Sequence, residues 1–300
     1  MTQPPGPGKP IAGEFEFIDA LRSLATWPAA RGLIDDAAVL EVGGETLVLT
    51  HDVLVEGVHV LPGQDPADIA WKLVAVNLSD LAAKGAEPVG VLLGHTLGEN
   101  DARFVEGLRE VLARYDVPLL GGDTVSAAGL RSWSLTALGR ATHSPVPSRA
   151  RASPGDDVFV TGLLGAAMLG LEALRDGSGA DSSAYRRPQP RLIEGRALAP
   201  LVTAMMDISD GLLLDAWRMA TASGVTLTLD SASVPVADPA RRDECLRWGD
   251  DYELLFTAPA GTDLPVPAQR IGSVTTGDRS TLLLDDVAIP GPGGLGYQHG

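Results

Sequence analysis

Residues 142 to 154 read Thr-His-Ser-Pro-Val-Pro-Ser-Arg-Ala-Arg-Ala-Ser-Pro. Three prolines in thirteen positions can continue neither a helix nor a central strand, because each fixes φ and lacks a donor. The chain must therefore interrupt its regular structure here, which splits it into two halves of ordinary domain size. This predicts a leader without regular structure over residues 1–13, a first domain over 14–145 and a second over 150–300.

Both halves mix helix and strand signals. Asp65-Pro66 is a helix start, with the carboxylate as cap and proline at the first helical position; the helix runs to about Lys84 and stops at Gly85. A helix is predicted over Asp101–Tyr115, and strands over Ala37–Val42, Thr46–Thr50, Val89–Leu93, Pro118–Leu120 and Ser132–Gly139. In the second half, helices are predicted over 165–174, 191–202 and 212–222, with strands at 157–161, 205–208, 225–229, 253–257, 270–274 and 281–284. Helices and hairpin-like strands intermingle without a regular βαβ alternation, so the fold class expected is α+β: two mixed α/β domains, not one doubly wound sheet.

Composition narrows the function. A net charge of −16 with no Lys/Arg cluster argues against nucleic acid. No apolar run reaches the ~18 residues of a membrane span. The lone Cys245 allows no intrachain disulfide, and a reducing cytoplasm is the expected compartment. There is no P-loop, dinucleotide fingerprint, kinase-type catalytic loop or zinc spacing.

What stands out is aspartate at element ends: Asp36 before one strand, Asp52 at the end of the next, Asp80 on the following helix one turn after Asn77, and Asp123 after Gly121-Gly122. Asp207 and Asp210 flank a strand-to-helix junction, and Asp250-Asp251 precedes a strand. Hard oxygen ligands of this kind suit Mg²⁺, and a set of them with phosphate oxygens can clamp a transferring phosphoryl group. Aspartate is also common at turns and caps for local reasons, so position alone does not decide. Two glycines before Asp123 free the backbone to approach a phosphate or simply to turn.

Taken in order, these stretches resemble the thiamine-monophosphate kinase family, within the aminoimidazole ribonucleotide synthetase-like superfamily. The resemblance is carried by Asp35-Asp36-Ala37-Ala38, Thr50-His51-Asp52, Val55-Glu56-Gly57-Val58-His59, Val76-Asn77-Leu78-Ser79-Asp80, Gly121-Gly122-Asp123-Thr124, Asp207-Ile208-Ser209-Asp210-Gly211 and Asp250-Asp251-Tyr252-Glu253-Leu254. It spans nearly the whole chain, from about Gly13 to His299. It implies transfer of the γ-phosphoryl group of ATP to thiamine phosphate, Mg²⁺ as cofactor, a 14–145 domain that binds ATP and metal and dimerises, a 150–300 domain that completes the cleft, and a homodimer in which the N-terminal sheet forms a barrel with its partner. It implies metal contacts at Asp36, Thr50, His51, Asp52, Asp80, Asp123, Asp207 and Asp210, with Asp52, Asp123 and Asp210 central to catalysis. Gly122, Asp123, Arg149 and Ser209 match nucleotide contacts, and His59, Asp250 and Tyr297 match the substrate side. The sequence departs from the family at Ile34, His51, Asp250 (usually Glu), the 231–249 stretch and Tyr297 (usually Trp). Another acceptor within the superfamily, or nucleotide binding without turnover, are the alternatives.

Overall fold

The computed structural model describes residues 13–277 and 281–298. The predicted leader, save Gly13, and His299 lie outside the described residues.

The first half contains α1 (Glu14–Arg22), β1 (Ala38–Val42), β2 (Glu45–Val55), α2 (Pro66–Ala83), β3 (Ala86–Thr96), α3 (Asp101–Tyr115), β4 (Leu119–Val125) and β5 (Ser132–Ala141). Its five strands form one sheet in the order β1-β2-β5-β3-β4, antiparallel except where β3 meets β4. The second half contains β6 (Asp156–Val160), α4 (Ala166–Asp176), α5 (Ser183–Arg186), α6 (Leu192–Leu198), β7 (Ala204–Asp207), α7 (Leu212–Ser223), β8 (Thr226–Leu229), α8 (Arg242–Trp248), β9 (Leu254–Pro259), β10 (Gln269–Thr275), β11 (Thr281–Leu284) and β12 (Val287–Ile289). Its seven strands run β12-β11-β8-β10-β6-β9-β7, parallel only between β11 and β8. The fold is a mixed α/β structure with two sheets, and neither sheet closes on itself among the described residues.

Helix α2 joins the halves. Asp65 caps it by accepting the Ala67 N–H at 3.0 Å. Nearly every residue of α2 is buried, with Leu73, Val74, Leu78 and Leu81 all fully so, each contributing about 1.5–3 kcal/mol of burial. It lies against β2 and β5 on one side and against α6 and β7 on another. The approaches are close. A Cβ on Gly107 of α3 would fall 2.3 Å from the Ala67 carbonyl oxygen, and one on Gly195 of α6 would fall 2.0 Å from that of Ala82. One apolar cluster spans both halves, from Leu54, Leu78 and Trp133 to Met205, Leu254 and Phe256. A second surrounds α7 within the second half.

The 142–154 stretch does interrupt regular structure, but it is pinned and not a loose tether. Arg31 donates to the carbonyls of Pro147 and Val146 at 2.7 and 3.1 Å, and the Ser223 hydroxyl donates to the Arg149 carbonyl. Two local expectations change. Strand β2 runs on through Val55, so Asp52 sits within it and not at its end. Gly121-Gly122-Asp123 is strand, not turn: β4 continues to Val125, in register with β3.

Candidate active site

A cavity of about 870 Å³ opens between the halves, lined among others by Asp52, Asp80, Asp207, Asp210, Asp250 and Tyr297. Its acidic end is assembled from several elements. Asp80 projects from α2, Asp36 precedes β1, and Asp207 ends β7. One carboxylate oxygen from each of these three lies within 4.8 Å of the others. That spacing could hold a hard cation through oxygen ligands.

Burial, and after it mutual repulsion, disfavours the charged form of these groups. Burial first, then the charge of Asp210, push Asp52 up to about 6. Burial, then Asp52 and Asp207, push Asp80 well above the usual carboxylate range. Asp207 is pushed up to about 6 by burial, against the opposing hydrogen bond from Ser79. Recessed carboxylates that disfavour their own charges suit a site completed by added positive charge, which is the fit required of a divalent metal.

Fixed cations flank the cluster. The Lys84 ammonium has no exposed side-chain surface and donates to Asp35 at 2.5 Å and to Asp36 at 2.6 Å. Arg149 donates to Asp36, and its Nε is buried with no hydrogen-bond partner among the described residues. Burial drives Asp35 upward, but Lys84, Arg31 and Arg149 outweigh it and hold the group well below the usual range. Arg218 of α7 donates to Asp210 at 2.5 Å and to Asp215 at 2.9 Å. The Thr50 hydroxyl donates to Asp80.

His51 is placed differently from its neighbours. Strand alternation turns it to the opposite face from Thr50 and Asp52. There its Nδ1 meets the Thr136 hydroxyl at 2.8 Å, directly across the β2–β5 pair. His51 still lines the cavity, outside the group of Asp36, Asp80 and Asp207.

Gly122 and Asp123 lie on the edge strand β4 and do not line the cavity. A Cβ on Gly122 would fall 1.9 Å from the Leu93 carbonyl oxygen, so close strand packing demands glycine there whatever else passes nearby. Asp123 is exposed and accepts the Thr124 N–H.

Ser209 lines the cavity at the β7–α7 junction, where the N–H groups of Ser209 and Asp210 donate to Asp215 at 3.2 and 3.1 Å. The far end of the cavity gathers His59, Asp250 and Tyr297. The rings of His59 and Tyr297 stand 6.5 Å apart, edge to face. The Tyr297 N–H donates to the Asp210 carbonyl, which ties the two ends together.

Sequence reasoning passed over Asp215, Lys72 and Lys84. The signal was a charge within a largely apolar helix for Lys72 and a charge at that helix's C-cap for Lys84, each of which demands a partner once buried. For Asp215 it was a carboxylate in the first turn of a helix, whose side chain can fold back onto the N-terminal N–H groups.

Two sheets with an acid-lined cleft between them and recessed basic side chains beside it define a class, and family models recognise it. Residues 34–141 match the AIR synthase related protein N-terminal domain, and residues 153–285 the corresponding C-terminal domain. The chain is 36% identical to thiamine-monophosphate kinase of Escherichia coli (strain K12), covering 96% of this chain and 98% of that protein. It is 36% identical to the enzyme of the same name from Caulobacter vibrioides, over 96% and 91%. A solved structure, AaThiL complexed with AMPPCP and TMP, superposes with a TM-score of 0.86 at 29% identity, over 96% of this chain and 97% of that one. The chain belongs to the thiamine-monophosphate kinase family.

Proposed function

We propose that this chain transfers the γ-phosphoryl group of ATP to the phosphate of thiamine phosphate, giving thiamine diphosphate and ADP. The observation that carries the reading is one cavity with two chemically distinct ends. One is the cluster Asp36, Asp80 and Asp207 with Asp52 and Asp210 beside it; the other is the wall of His59, Asp250 and Tyr297. The relative solved with AMPPCP and TMP supports filling these ends with nucleotide and acceptor.

Asp36, Asp80 and Asp207, with Asp52 and Asp210, would hold Mg²⁺. Bound there, Mg²⁺ supplies the positive charge that lets two polyanions meet in line. The rest falls to the chain's own side chains. Arg149 reaches the cluster from the interdomain stretch and offers a guanidinium to phosphate oxygens. Ser209 lines the cavity beside the N-terminus of α7, where an anion is favoured. A phosphate acceptor is already ionised at neutral pH, so no side chain need remove a proton. Tyr297 is placed to cover a thiamine ring, a contact worth ~0.5–2 kcal/mol if the ring is cationic.

The same reading includes two domains, 14–145 and 150–300, that share the cleft, and a homodimer in a cytoplasmic compartment. Exposed Val53, Leu92, Leu119, Leu120 and Val125 on the first sheet support a second copy packing there to build a barrel. Gly122 and Asp123 sit on the edge strand of that same sheet, and we keep them as nucleotide-side contacts of the assembled enzyme. No helix among the described residues is long and apolar enough to cross a membrane.

The test is ADP release in a coupled assay with Mg²⁺ and ATP, comparing thiamine phosphate with thiamine and with unrelated phosphate monoesters. Turnover selective for thiamine phosphate is expected. Selective turnover of another phosphate would transfer the reading to a different acceptor, which the shorter acid at Asp250 makes worth testing. ATP binding without turnover would reject it.

A further inference from the structure

We infer that Lys72 is a positioning residue for the acceptor, locking Asp250 and the His59 turn into one wall of the cavity; the inference rests on the thiamine phosphate reading above. A lysine on a helix ordinarily snorkels to water. The Lys72 side chain is only 1% exposed. Its ammonium donates to Asp250 Oδ2 at 2.5 Å and to the His59 carbonyl at 3.3 Å, and sits 4.0 Å from the centroid of the Tyr185 ring. The Tyr185 hydroxyl donates to that same His59 carbonyl at 3.2 Å. His59 follows β2 in the first half, and Asp250 precedes β9 in the second. An ammonium from α2 joins them.

A buried ammonium is costly unless paired, so the pair persists only because its geometry is complete. The Asp250 side chain keeps 21% of its surface exposed, at the cavity wall. Its backbone is in the left-handed region, at φ 62, between Gly249 at φ 86 and Tyr252 at φ 54. Such conformations in non-glycine residues cost energy and persist where surroundings over-determine them. Here the N–H groups of Asp250 and Tyr252 donate to the carbonyls of Ser209 and Ile208 at 2.7 and 2.8 Å. The backbone of the turn is thus fixed from the nucleotide side and its carboxylate from Lys72.

Lys72 donates to one carboxylate oxygen and the Tyr252 side chain also hydrogen-bonds to the group, while its exposed part still faces the cavity as an acceptor. The pair has no net charge but a fixed direction, which suits a neutral ring bearing N–H donors, as the aminopyrimidine of thiamine does. Eight residues of helix separate Lys72 from Asp80, a rise of about 12 Å. Lys72 therefore acts at the acceptor end and not on the transferring phosphoryl group.

The experiment uses the full-length enzyme and the variants Lys72→Met, Lys72→Arg, Asp250→Asn and Lys72→Met/Asp250→Asn. KM for thiamine phosphate and for ATP is measured, together with calorimetric binding of thiamine phosphate without ATP. Lys72→Met should raise the acceptor KM and Kd about tenfold or more, with the ATP KM held within about twofold. Lys72→Arg should recover much of the loss. The double variant should be no weaker than the weaker single, since both break one interaction. If Lys72→Met is insoluble, Asp250→Asn, made at the exposed end of the pair, must give the same acceptor-selective loss. Parallel shifts in both KM values, an additive double variant or an unchanged acceptor KM would each overturn the inference while leaving the parent reading standing. Wild-type enzyme that releases no ADP with thiamine phosphate would overturn the parent reading itself.

Discussion

The Ser79 hydroxyl on α2 donates to Asp207 Oδ2 at the end of β7, 2.5 Å away. One hydrogen bond thus crosses between the halves and fixes the orientation of a carboxylate in the acid cluster. A hydrogen bond to a charged group in a recessed site is worth about 1.5–3 kcal/mol. Ser79→Ala should lower stability by about that amount and raise the Mg²⁺ concentration needed for half-maximal turnover. Thermal melts and a metal titration check both; an unchanged melt with unchanged metal dependence would refute the role.

Asp52→Asn and Asp210→Asn should lower turnover by about a hundredfold or more and leave the fold intact. Asp52→Asn should also make the metal-free protein more stable near pH 7.5, by about 1–3 kcal/mol, because it removes a charge that burial and Asp210 disfavour. Circular dichroism melts in chelator, beside the ADP assay, separate the two effects. Wild-type turnover at saturating Mg²⁺ would remove both residues from the metal site.

The pH dependence of the metal-free protein should have an unusual sign. Asp52, Asp207 and Asp215 rise from 3.8 to about 6 on folding, in each case chiefly through burial. The folded state then holds more protons than the unfolded state between about pH 4 and 6, so stability falls as pH rises through that window. Asp35 works the other way, but the stability it adds is full above its ordinary range and is lost only as pH drops below about 4. Melting temperature in chelator should therefore climb from pH 7 to pH 5. Saturating Mg²⁺ should flatten or reverse that slope. A melting temperature that falls steadily over this range in chelator would contradict the assignment.

Gly122→Ala should destabilise the protein by about 1–3 kcal/mol with no nucleotide present, since its Cβ would drive β4 away from Leu93. If the glycine serves only a phosphate, the melt will be unchanged and only the ATP KM will move.

Much of the site was readable because its chemistry sits where local signals are strong. Asp65-Pro66 announced α2, and the Asp207 to Asp210 junction fell at a strand end followed by a helix, as found. The continuation of β2 past Thr50 was not readable, because His51 and Asp52 break the apolar alternation that marks a half-buried strand. The extension of β4 was hidden by its glycine pair, which as sequence signals a turn and as structure answers a close parallel neighbour. Helix α8 lies in the 231–249 stretch, which reads as a shortened connection. The partners of Lys72 and Lys84 lie 178 and 49 residues away, beyond the reach of any local pattern.

Helix α2 carries Lys72 at the acceptor wall and Asp80 in the acid cluster, and its C-cap residue Lys84 lies beneath Asp35 and Asp36. These three stations are spread over twelve residues, about 18 Å along a single rigid element. It acts as a ruler whose graduations are set by helical pitch. Inserting or deleting one residue between Lys72 and Lys84 would turn one end by about 100° against the other and point an anchor away from its partner. A loop that gains a residue can absorb it in its own backbone, but this helix cannot.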